Sequence, residues 1–237
     1  SRRSFLGTLG LGSLGAIAAD RLATASEAQR PGAEILGAGG VKTSARPRKA
    51  WRPVSDRKIR VGIVGYGVCQ FGAAFGFQEH PNVTVAAVSD LFPDRCAALA
   101  KACRCEKTYP SLEELVKDDS IEAVFVATDA PSHARHCIEV LRHGKHVACA
   151  VPMATTLADL DRIIEAQQVS GCRYMMMETS AFSREYFAVE GMHRAGELGG
   201  LTLYRGFHIQ NLDGFPAYWQ GYPPMHYLTH ALSPILS

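Results

Sequence analysis

Short apolar runs rich in β-branched residues recur along the chain and alternate with stretches that have helical spacing. The runs are only a few residues long and nearly free of charge, which suits strands that are buried on both faces of a parallel sheet. They fall at residues 59–64, 83–88, 121–127, 146–150 and 174–177. Strands that alternate with helices at this spacing predict an α/β fold with a doubly wound parallel sheet of the Rossmann type.

The helices predicted between these strands have recognisable start and stop signals. Pro93 suits a first helical position, and Ser111 and Thr156 each stand three residues before an acidic residue, as in a capping box. Gly144 and Gly171 suit helix ends, because glycine adopts the left-handed conformation there without strain. The predicted helices cover residues 68–79, 93–102, 111–117, 131–143 and 156–170.

A different pattern follows residue 178. Residues 186–195 have helical spacing, residues 201–209 alternate as in a strand, and residues 225–236 again suit a helix. The loop before this last helix is rich in aromatic residues and proline. The pattern predicts the start of a second α/β domain with an open sheet, after a first domain that spans residues 58–178.

The first strand, turn and helix have the sequence form of a dinucleotide site. Gly65 suits the tight turn, Gly67 allows a pyrophosphate to approach the backbone, and the helix start offers unpaired N–H groups. Asp90 ends the next strand, where its carboxylate can bind ribose hydroxyls. The third glycine of the usual motif is replaced by Gln70, and the next glycine is Gly72. An ordinary glycine turn is the alternative.

Ligands of doubly wound sheets bind beyond the carboxyl ends of the strands, so residues that follow the strands are the candidates for the cofactor crevice. The charge of Asp90 disfavours a phosphate on the ribose, which favours NAD and leaves NADP as the alternative. The candidate cofactor-binding residues are Gly65, Tyr66, Gly67, Val68, Asp90, Thr128, His133, Val151 and Pro152.

Composition and charge narrow the function classes. The chain has 237 residues, of which 47% are hydrophobic and 20% charged, as in ordinary globular proteins. Residues 1–57 contain ten basic and four acidic residues, a net charge of +6, whereas residues 58–237 contain fifteen and nineteen, a net charge of −4. A mildly acidic folded part argues against nucleic acid as a partner. The seven cysteines form no C-x-x-C pair, so buried free thiols are expected.

The start of the chain resembles a twin-arginine export signal. Arg2 and Arg3 precede a weakly apolar run, and Ala23-Thr24-Ala25 offers small residues for cleavage. The run is too short and too rich in glycine for stable insertion into a membrane. We therefore expect a signal peptide at residues 1–25, a linker at residues 26–57 and a periplasmic or otherwise extracytoplasmic protein. An arbitrary leader is the alternative.

The order of several motifs resembles the Gfo/Idh/MocA family of NAD(P)-dependent sugar and polyol dehydrogenases. The resemblance covers about residues 58–235. It is carried by Val61–Gly67, Ala87–Asp90, Pro93–Arg95, Ala123–Thr128, His133 and Gly144–Val147. It implies bound NAD, a carbohydrate-like substrate, a homo-oligomer and a C-terminal substrate domain, of which residues 179–237 would be the first part.

The resemblance also implies catalytic positions, and two of them differ here. The family's catalytic lysine, which precedes a proline, is Val151 before Pro152. The family's aspartate and histidine on a helix of the second domain correspond to His226 and His230. We therefore expect His230 to act as the proton acceptor, with a structural histidine as the alternative. His133 matches the family histidine that we expect to line the crevice, with a helix-capping role as the alternative.

Three further observations concern the region near His230. Glu178 is the acidic residue at the domain junction, and it either replaces a missing catalytic group or forms a salt bridge or cap. His226 and His230 stand four residues apart, a spacing that could bind a metal, but no carboxylate completes a known motif, so we expect no metal. Trp219 and Tyr218 either provide a flat face for a sugar ring or serve local packing or an oligomer contact.

Three functions are compatible with these features. The first is an exported NAD(P)-dependent oxidoreductase that transfers a hydride to or from a sugar- or polyol-like substrate. The second is a glycoside hydrolase or lyase that uses NAD for transient oxidation. The third is a redox-silent protein that binds NAD or sugar, which the valine at position 151 favours.

Overall fold

Six short strands lie parallel to one another and form one sheet in the computed structural model, which describes residues 55–67, 69–215, 219, 221 and 223–237. The predicted signal peptide, almost all of the linker and Val68 lie outside the described residues. The strands are β1 (Ile59–Val64), β2 (Val83–Ser89), β3 (Thr108–Tyr109), β4 (Ala123–Val126), β5 (His146–Cys149) and β6 (Tyr174–Met176).

The order of the strands places the carboxyl ends of β1, β2 and β4 side by side. The sheet order is β3-β2-β1-β4-β5-β6, so the chain runs outwards in one direction and then crosses over to continue on the other side of β1. Val64, the last residue of β1, lies opposite Ser89 of β2 and Val126 of β4. Such a reversal opens a crevice between neighbouring loops. The predicted doubly wound sheet is confirmed.

Seven α-helices follow or connect the strands in the described part of the chain. Successive side chains of a strand point to opposite faces of the sheet, and buried residues lie on both faces. Ile63 and Phe125 pack on one face together with Leu99, whereas Val64 and Val126 pack on the other. The helices are α1 (Phe71–Ala74), α2 (Pro93–Cys103), α3 (Leu112–Leu115), α4 (His133–Arg142), α5 (Leu157–Ser170), α6 (Arg184–Arg194) and α7 (Thr229–Leu236).

Helix ends follow the sequence signals closely. The Ser111 hydroxyl accepts a hydrogen bond from the Glu114 N–H, and the Thr156 hydroxyl accepts one from the Asp159 N–H, so both predicted N-caps are confirmed. Gly171 ends α5 in the left-handed conformation with φ 64°. All seven cysteines are free thiols, and six of them are buried, as the sequence predicts.

The first predicted helix, residues 68–79, is wrong in its length. Helix α1 has only four residues, and a short 3₁₀ helix at Phe77–Glu79 follows it. Gly76 adopts a left-handed conformation with φ 69°, which ends the helical path. The Phe75 and Phe77 rings then pack against Phe125 of the sheet, with centroids 5.2 and 5.1 Å away. Core packing of the aromatic residues therefore overrides the helical spacing.

The predicted start of the second domain, residues 179–237, is also less regular than expected. Residues 201–209 form no strand, and Leu203 and Ile209 are 83% and 90% exposed. A strand needs a neighbour for its backbone hydrogen bonds, and no described segment pairs with this one. The predicted helix 225–236 divides into a 3₁₀ helix at Pro224–Tyr227 and α7. His226 and His230 therefore do not share one continuous α-helix.

Lys145 is a buried charged residue at the start of β5. The residue is 4% exposed, and its Nζ donates to the Asp118 and Ile121 carbonyls at 2.8 and 2.9 Å. These hydrogen bonds join the loop before β4 to β5 at the edge of the sheet opposite the crevice.

No helix within the described ranges is long and apolar enough to cross a bilayer.

Candidate functional site: a dinucleotide crevice and a histidine–carboxylate pair

The turn after β1 requires glycine at its first position. Gly65 has φ +102°, and a Cβ placed there would lie 2.4 Å from the Ala127 carbonyl oxygen at the end of β4. A Cβ placed at Gly67 would instead point into open space, with no atom of the described residues within 4 Å. The first glycine therefore allows close contact between loops, and the second leaves room for a ligand beside the backbone.

Gly72 performs the packing role that the motif usually gives to its third glycine. A Cβ at Gly72 would lie 2.4 Å from the Gly65 carbonyl oxygen and 3.0 Å from Leu99, so the short helix α1 can pack against β1 only with glycine here. Gln70 stands at the usual position and has φ 50°, a left-handed conformation that glycine adopts more readily. Gly72 lies two residues beyond the usual position of the third glycine, so the motif alone does not indicate its role.

Asp90 is fixed by the loops on both sides of it. One carboxylate oxygen accepts a hydrogen bond from the Tyr66 N–H at 2.7 Å, and the other accepts one from the Phe92 N–H at 2.9 Å. Each oxygen keeps a further lone pair, so the side chain can still accept hydrogen bonds from ribose hydroxyls. The hydrogen bond from the Tyr66 N–H also fixes the glycine turn against the end of β2.

A crevice of about 450 Å³ lies beyond the carboxyl ends of β1, β2 and β4. Its walls contain five of the predicted cofactor-binding residues, and they also contain charged and imidazole side chains that the sequence motifs do not indicate. The predicted lining residues are Gly65, Tyr66, Gly67, Asp90 and Thr128; the missed ones include Arg95, Glu113, Arg135 and His136. Glu113 lies in a predicted capping box and Arg135 in a predicted helix, so the sequence pattern of each residue indicates only helix structure.

His136 is the buried member of this wall. It is 7% exposed, its Nδ1 lies 2.9 Å from the Thr128 hydroxyl, and its Nε2 lies 2.8 Å from an Arg135 nitrogen. Burial, and to a smaller extent the neighbouring Arg135 guanidinium, lower the pKa of His136 to about 4. The imidazole is therefore neutral at neutral pH.

His133 lies behind the crevice and not on its surface. The side chain is 2% exposed, and its ring nitrogens lie 2.7 Å from the Pro152 carbonyl and 3.0 Å from the Thr128 carbonyl. Burial lowers the pKa of His133, although both carbonyls favour the charged form. The residue thus joins the loops after β4 and β5, and the expectation that it lines the crevice is corrected by this burial.

Val151 and Pro152 follow β5. Val151 is 8% exposed, and the bond between the two residues is a cis peptide. The side chain of Val151 is a hydrocarbon, so it provides neither a proton nor a hydrogen bond at the position of the family's lysine. Pro152 contributes its carbonyl to His133.

A histidine–carboxylate pair lies where β6 ends. The His230 Nδ1 lies 2.7 Å from Glu178 Oε1, and the two side chains are 12% and 5% exposed. The Ser180 N–H donates to the same oxygen at 2.8 Å. Burial raises the pKa of Glu178, but hydrogen bonds from His230 and Ser180 outweigh it, so the pKa is lowered overall. Glu178 is therefore ionised, and its Oε1 accepts a hydrogen bond from the His230 Nδ1–H.

Two aromatic rings pack against His230. The ring centroids of His208 and Tyr227 lie 4.7 and 5.0 Å from that of His230. Trp219 packs against Tyr227 with perpendicular rings, so local packing accounts for at least one of its faces. His226 lies in the preceding 3₁₀ helix, and Tyr218 is outside the described residues. His208 is a neighbour that sequence reasoning missed, because residues 201–209 suggested only a strand.

The crevice fits a dinucleotide, and no cluster in the described part of the chain fits a metal. The space beside Gly67, the carboxylate of Asp90 and the close approach of two loops at Gly65 are the features that a pyrophosphate and a ribose require. No group of three or more His, Cys, Asp or Glu residues is arranged to bind a metal ion within those described ranges. The fold and crevice thus define a dinucleotide-binding α/β protein.

Comparison with known proteins identifies the family. Residues 59–178 match the Gfo/Idh/MocA oxidoreductase family with an NAD-binding Rossmann fold, and the chain belongs to this family. The cofactor is NAD, as the sequence predicts.

Two groups of curated proteins are similar to the chain. A glycosyl hydrolase family 109 protein of Bacteroides thetaiotaomicron is 30% identical over 196 residues, which cover 74% of this chain and 42% of that protein. An inositol 2-dehydrogenase of Acidothermus cellulolyticus is 30% identical over 154 residues, which cover 61% of this chain and 43% of that protein. The chain spans less than half the length of these relatives.

Solved structures agree on the fold. A probable dehydrogenase of Thermotoga maritima superimposes with a TM-score of 0.56 at 26% identity, over 60% of this chain and 42% of that one. A myo-inositol dehydrogenase of Lactobacillus casei, crystallised with NAD(H) and myo-inositol, superimposes with a TM-score of 0.55 at 23% identity, over 60% of this chain and 43% of that one.

Proposed function

We propose that the protein is an NAD-dependent oxidoreductase that moves a hydride between a carbinol carbon of a sugar- or polyol-like substrate and nicotinamide. The observation that carries this proposal is the contact of 2.7 Å between His230 and Glu178 at the end of β6. A buried, ionised carboxylate that holds one imidazole nitrogen leaves the other as a base in a fixed direction. The inositol dehydrogenases among the similar proteins support a polyol-like substrate.

In this reaction each residue of the pair has a separate role. His230 takes the hydroxyl proton of the substrate at Nε2, and the negative charge of Glu178 stabilises the imidazolium that results. When bound, NAD supplies the acceptor for the hydride. Val151 contributes only apolar surface, so the histidine–carboxylate pair performs the proton transfer for which the family also uses a lysine.

The test is to purify the full-length protein and follow bound nicotinamide by absorbance and fluorescence while a panel of sugars and polyols is added. Reduction of the cofactor by one of them is the expected result. His230→Ala should lower the rate of reduction by about 10²–10⁴-fold, the usual contribution of a general base, and leave the affinity for NAD unchanged. Bound cofactor that never changes its redox state with any compound would overturn the proposal.

A second candidate is cleavage of a glycoside with transient oxidation by NAD. It is favoured by similarity to several glycosyl hydrolase family 109 proteins over 74% of the chain. In this case the same pair moves a proton during both the oxidation and the return step, and no net reduction accumulates. Chromogenic glycosides distinguish the two candidates, since product release without net reduction of the cofactor supports cleavage and excludes simple dehydrogenation.

We also propose that the protein is exported by the twin-arginine route and forms a homo-oligomer. The paired Arg2 and Arg3 support export, because this route carries folded proteins with their cofactor already bound. The exposed apolar side chains of Leu203, Phe207 and Ile209 support association between copies. Replacing both arginines with lysine should retain the protein in the cytoplasm, and light scattering of the purified protein measures the number of subunits.

A further inference from the structure

Four side chains form a continuous hydrogen-bonded chain along one wall of the crevice. Glu113 Oε1 accepts a hydrogen bond from Arg135 Nη1 at 2.9 Å. Arg135 Nη2 lies 2.8 Å from His136 Nε2, and His136 Nδ1 lies 2.9 Å from the hydroxyl of Thr128. Glu113 comes from α3 and the two basic residues from α4, so the chain links two helices to the end of β4. Every member also lines the crevice.

The chemistry of these groups fixes the direction of each hydrogen bond. A guanidinium only donates, so Nε2 of His136 must accept from Arg135. A neutral imidazole with an accepting Nε2 carries its proton on Nδ1, and this proton is donated to the Thr128 hydroxyl oxygen. The hydroxyl hydrogen of Thr128 is then left to point elsewhere. No acceptor for it occurs among the described residues, and the side chain lines the open crevice.

The position of Thr128 indicates which part of a ligand would receive this hydrogen. A Cβ at Gly65 would lie 2.9 Å from the Thr128 backbone nitrogen, so Thr128 lies directly beside the glycine turn. Pyrophosphate binds at such turns. The His133 Nε2 also lies 3.0 Å from the Thr128 carbonyl oxygen.

We propose that Arg135 and His136 are positioning residues that make the Thr128 hydroxyl a hydrogen-bond donor to a phosphate oxygen of the dinucleotide, with Glu113 holding the guanidinium in place. The inference concerns NAD binding alone and is independent of the reaction proposed above. The low pKa of His136 agrees with it, since a second proton on the ring would face the guanidinium. Glu113 is partly exposed, so its contribution is the smallest of the chain.

The test measures the affinity of the full-length protein for NAD, ADP and adenosine by calorimetry. Thr128→Val removes the hydroxyl at similar volume and should weaken NAD and ADP about tenfold, which is the effect of one hydrogen bond, while adenosine binding stays unchanged. Thr128→Ser retains the hydroxyl and should bind within about twofold of the parent. Equal affinity of Thr128→Val and the parent for NAD and ADP would overturn the proposal, and an equal loss for adenosine would exclude a phosphate as the acceptor.

A second measurement separates positioning from mere support of the wall. Nitrogen NMR of the ligand-free protein should show the His136 proton on Nδ1. Arg135→Met should remove this preference and weaken NAD and ADP several-fold, with the melting temperature as a check of folding. Arg135→Lys retains a donor and should preserve the tautomer better than methionine does. A His136 proton found on Nε2 in the parent protein would refute the proposed direction of the chain.

Discussion

The carboxyl edge of the sheet has two ends, each with a candidate site, and the two sites are built in different ways. At the glycine-turn end, formed by Gly65–Gly67 and Asp90, the main contact joins Asp90 to Tyr66, 24 residues apart. At the dyad end, formed by Glu178 and His230, the main contact joins residues 52 positions apart. The first end consists of one βαβ unit and follows the family pattern. The second depends on how a later segment packs against the residues that follow β6.

This difference suggests that cofactor binding and proton transfer can be altered separately. The glycine turn and Asp90 are held by backbone groups, so a change there disturbs the local fold and the nucleotide together. The dyad is a contact between two side chains, so a change there alters the chemistry and leaves the sheet intact. Four predictions test this separation, in order of decreasing effect.

Gly65→Ala should have the largest effect. The new Cβ would lie 2.4 Å from the Ala127 carbonyl at a φ of +102°, which costs about 2–5 kcal/mol in the free energy of unfolding and prevents NAD binding. Urea unfolding and NAD titration measure the two effects. Gly67→Ala is the matched control, because its Cβ enters open space; it should preserve stability and weaken NAD binding only. Equal stability of both variants would contradict the close-contact role of Gly65.

Glu178→Gln should lower turnover and leave the cofactor bound. An amide cannot stabilise an imidazolium as a carboxylate does, so we expect kcat to fall about 10–10³-fold. The dissociation constant for NAD should not change, because Glu178 contacts His230 and Ser180 and is absent from the crevice walls. Steady-state kinetics and fluorescence titration measure the two quantities. A loss of NAD affinity as large as the loss of kcat would show that the ends are coupled.

Asp90→Ala should weaken NAD binding by about 1–3 kcal/mol, the usual value for a hydrogen bond to a charged group. The substitution also leaves the N–H groups of Tyr66 and Phe92 without their acceptor, so the free energy of unfolding falls as well. NADP should be affected less than NAD, since a repulsive charge is also removed. Calorimetric titration with both cofactors checks this. Unchanged affinity for NAD would refute the assignment of Asp90 to the ribose.

Acid should destabilise the folded domain through the buried histidines beside the crevice. His136 has a folded pKa of about 4 against an ordinary value of 6.5, so the unfolded chain binds more protons between these values and the free energy of unfolding falls as the pH drops. His133 contributes in the same direction. His136→Gln should remove about 1–2 kcal/mol of this decline, after allowance for solvent screening. Urea unfolding at several pH values measures it, with exposed His193→Gln as the control expected to change nothing.

Much of the first domain follows from local sequence patterns. The strands, the caps at Ser111 and Thr156 and the end of α5 at Gly171 were predicted because each depends on residues within a few positions of one another. Asp90 was predicted because it ends the strand that follows the glycine turn in a βαβ unit. The predictions became less accurate where aromatic packing shortened α1, and where the extended segment 201–209 found no partner strand among the described residues.

The sequence alone determined the Rossmann-type sheet, the glycine turn and the family, because periodicity and short motifs report local geometry. Only the tertiary structure decided which side chains meet. It paired Glu178 with His230, moved His133 behind the crevice, gave Gly72 the packing role and placed His136 between Arg135 and Thr128. These contacts depend on how helices and loops pack over long sequence separations, and a linear pattern does not encode the distance between two side chains.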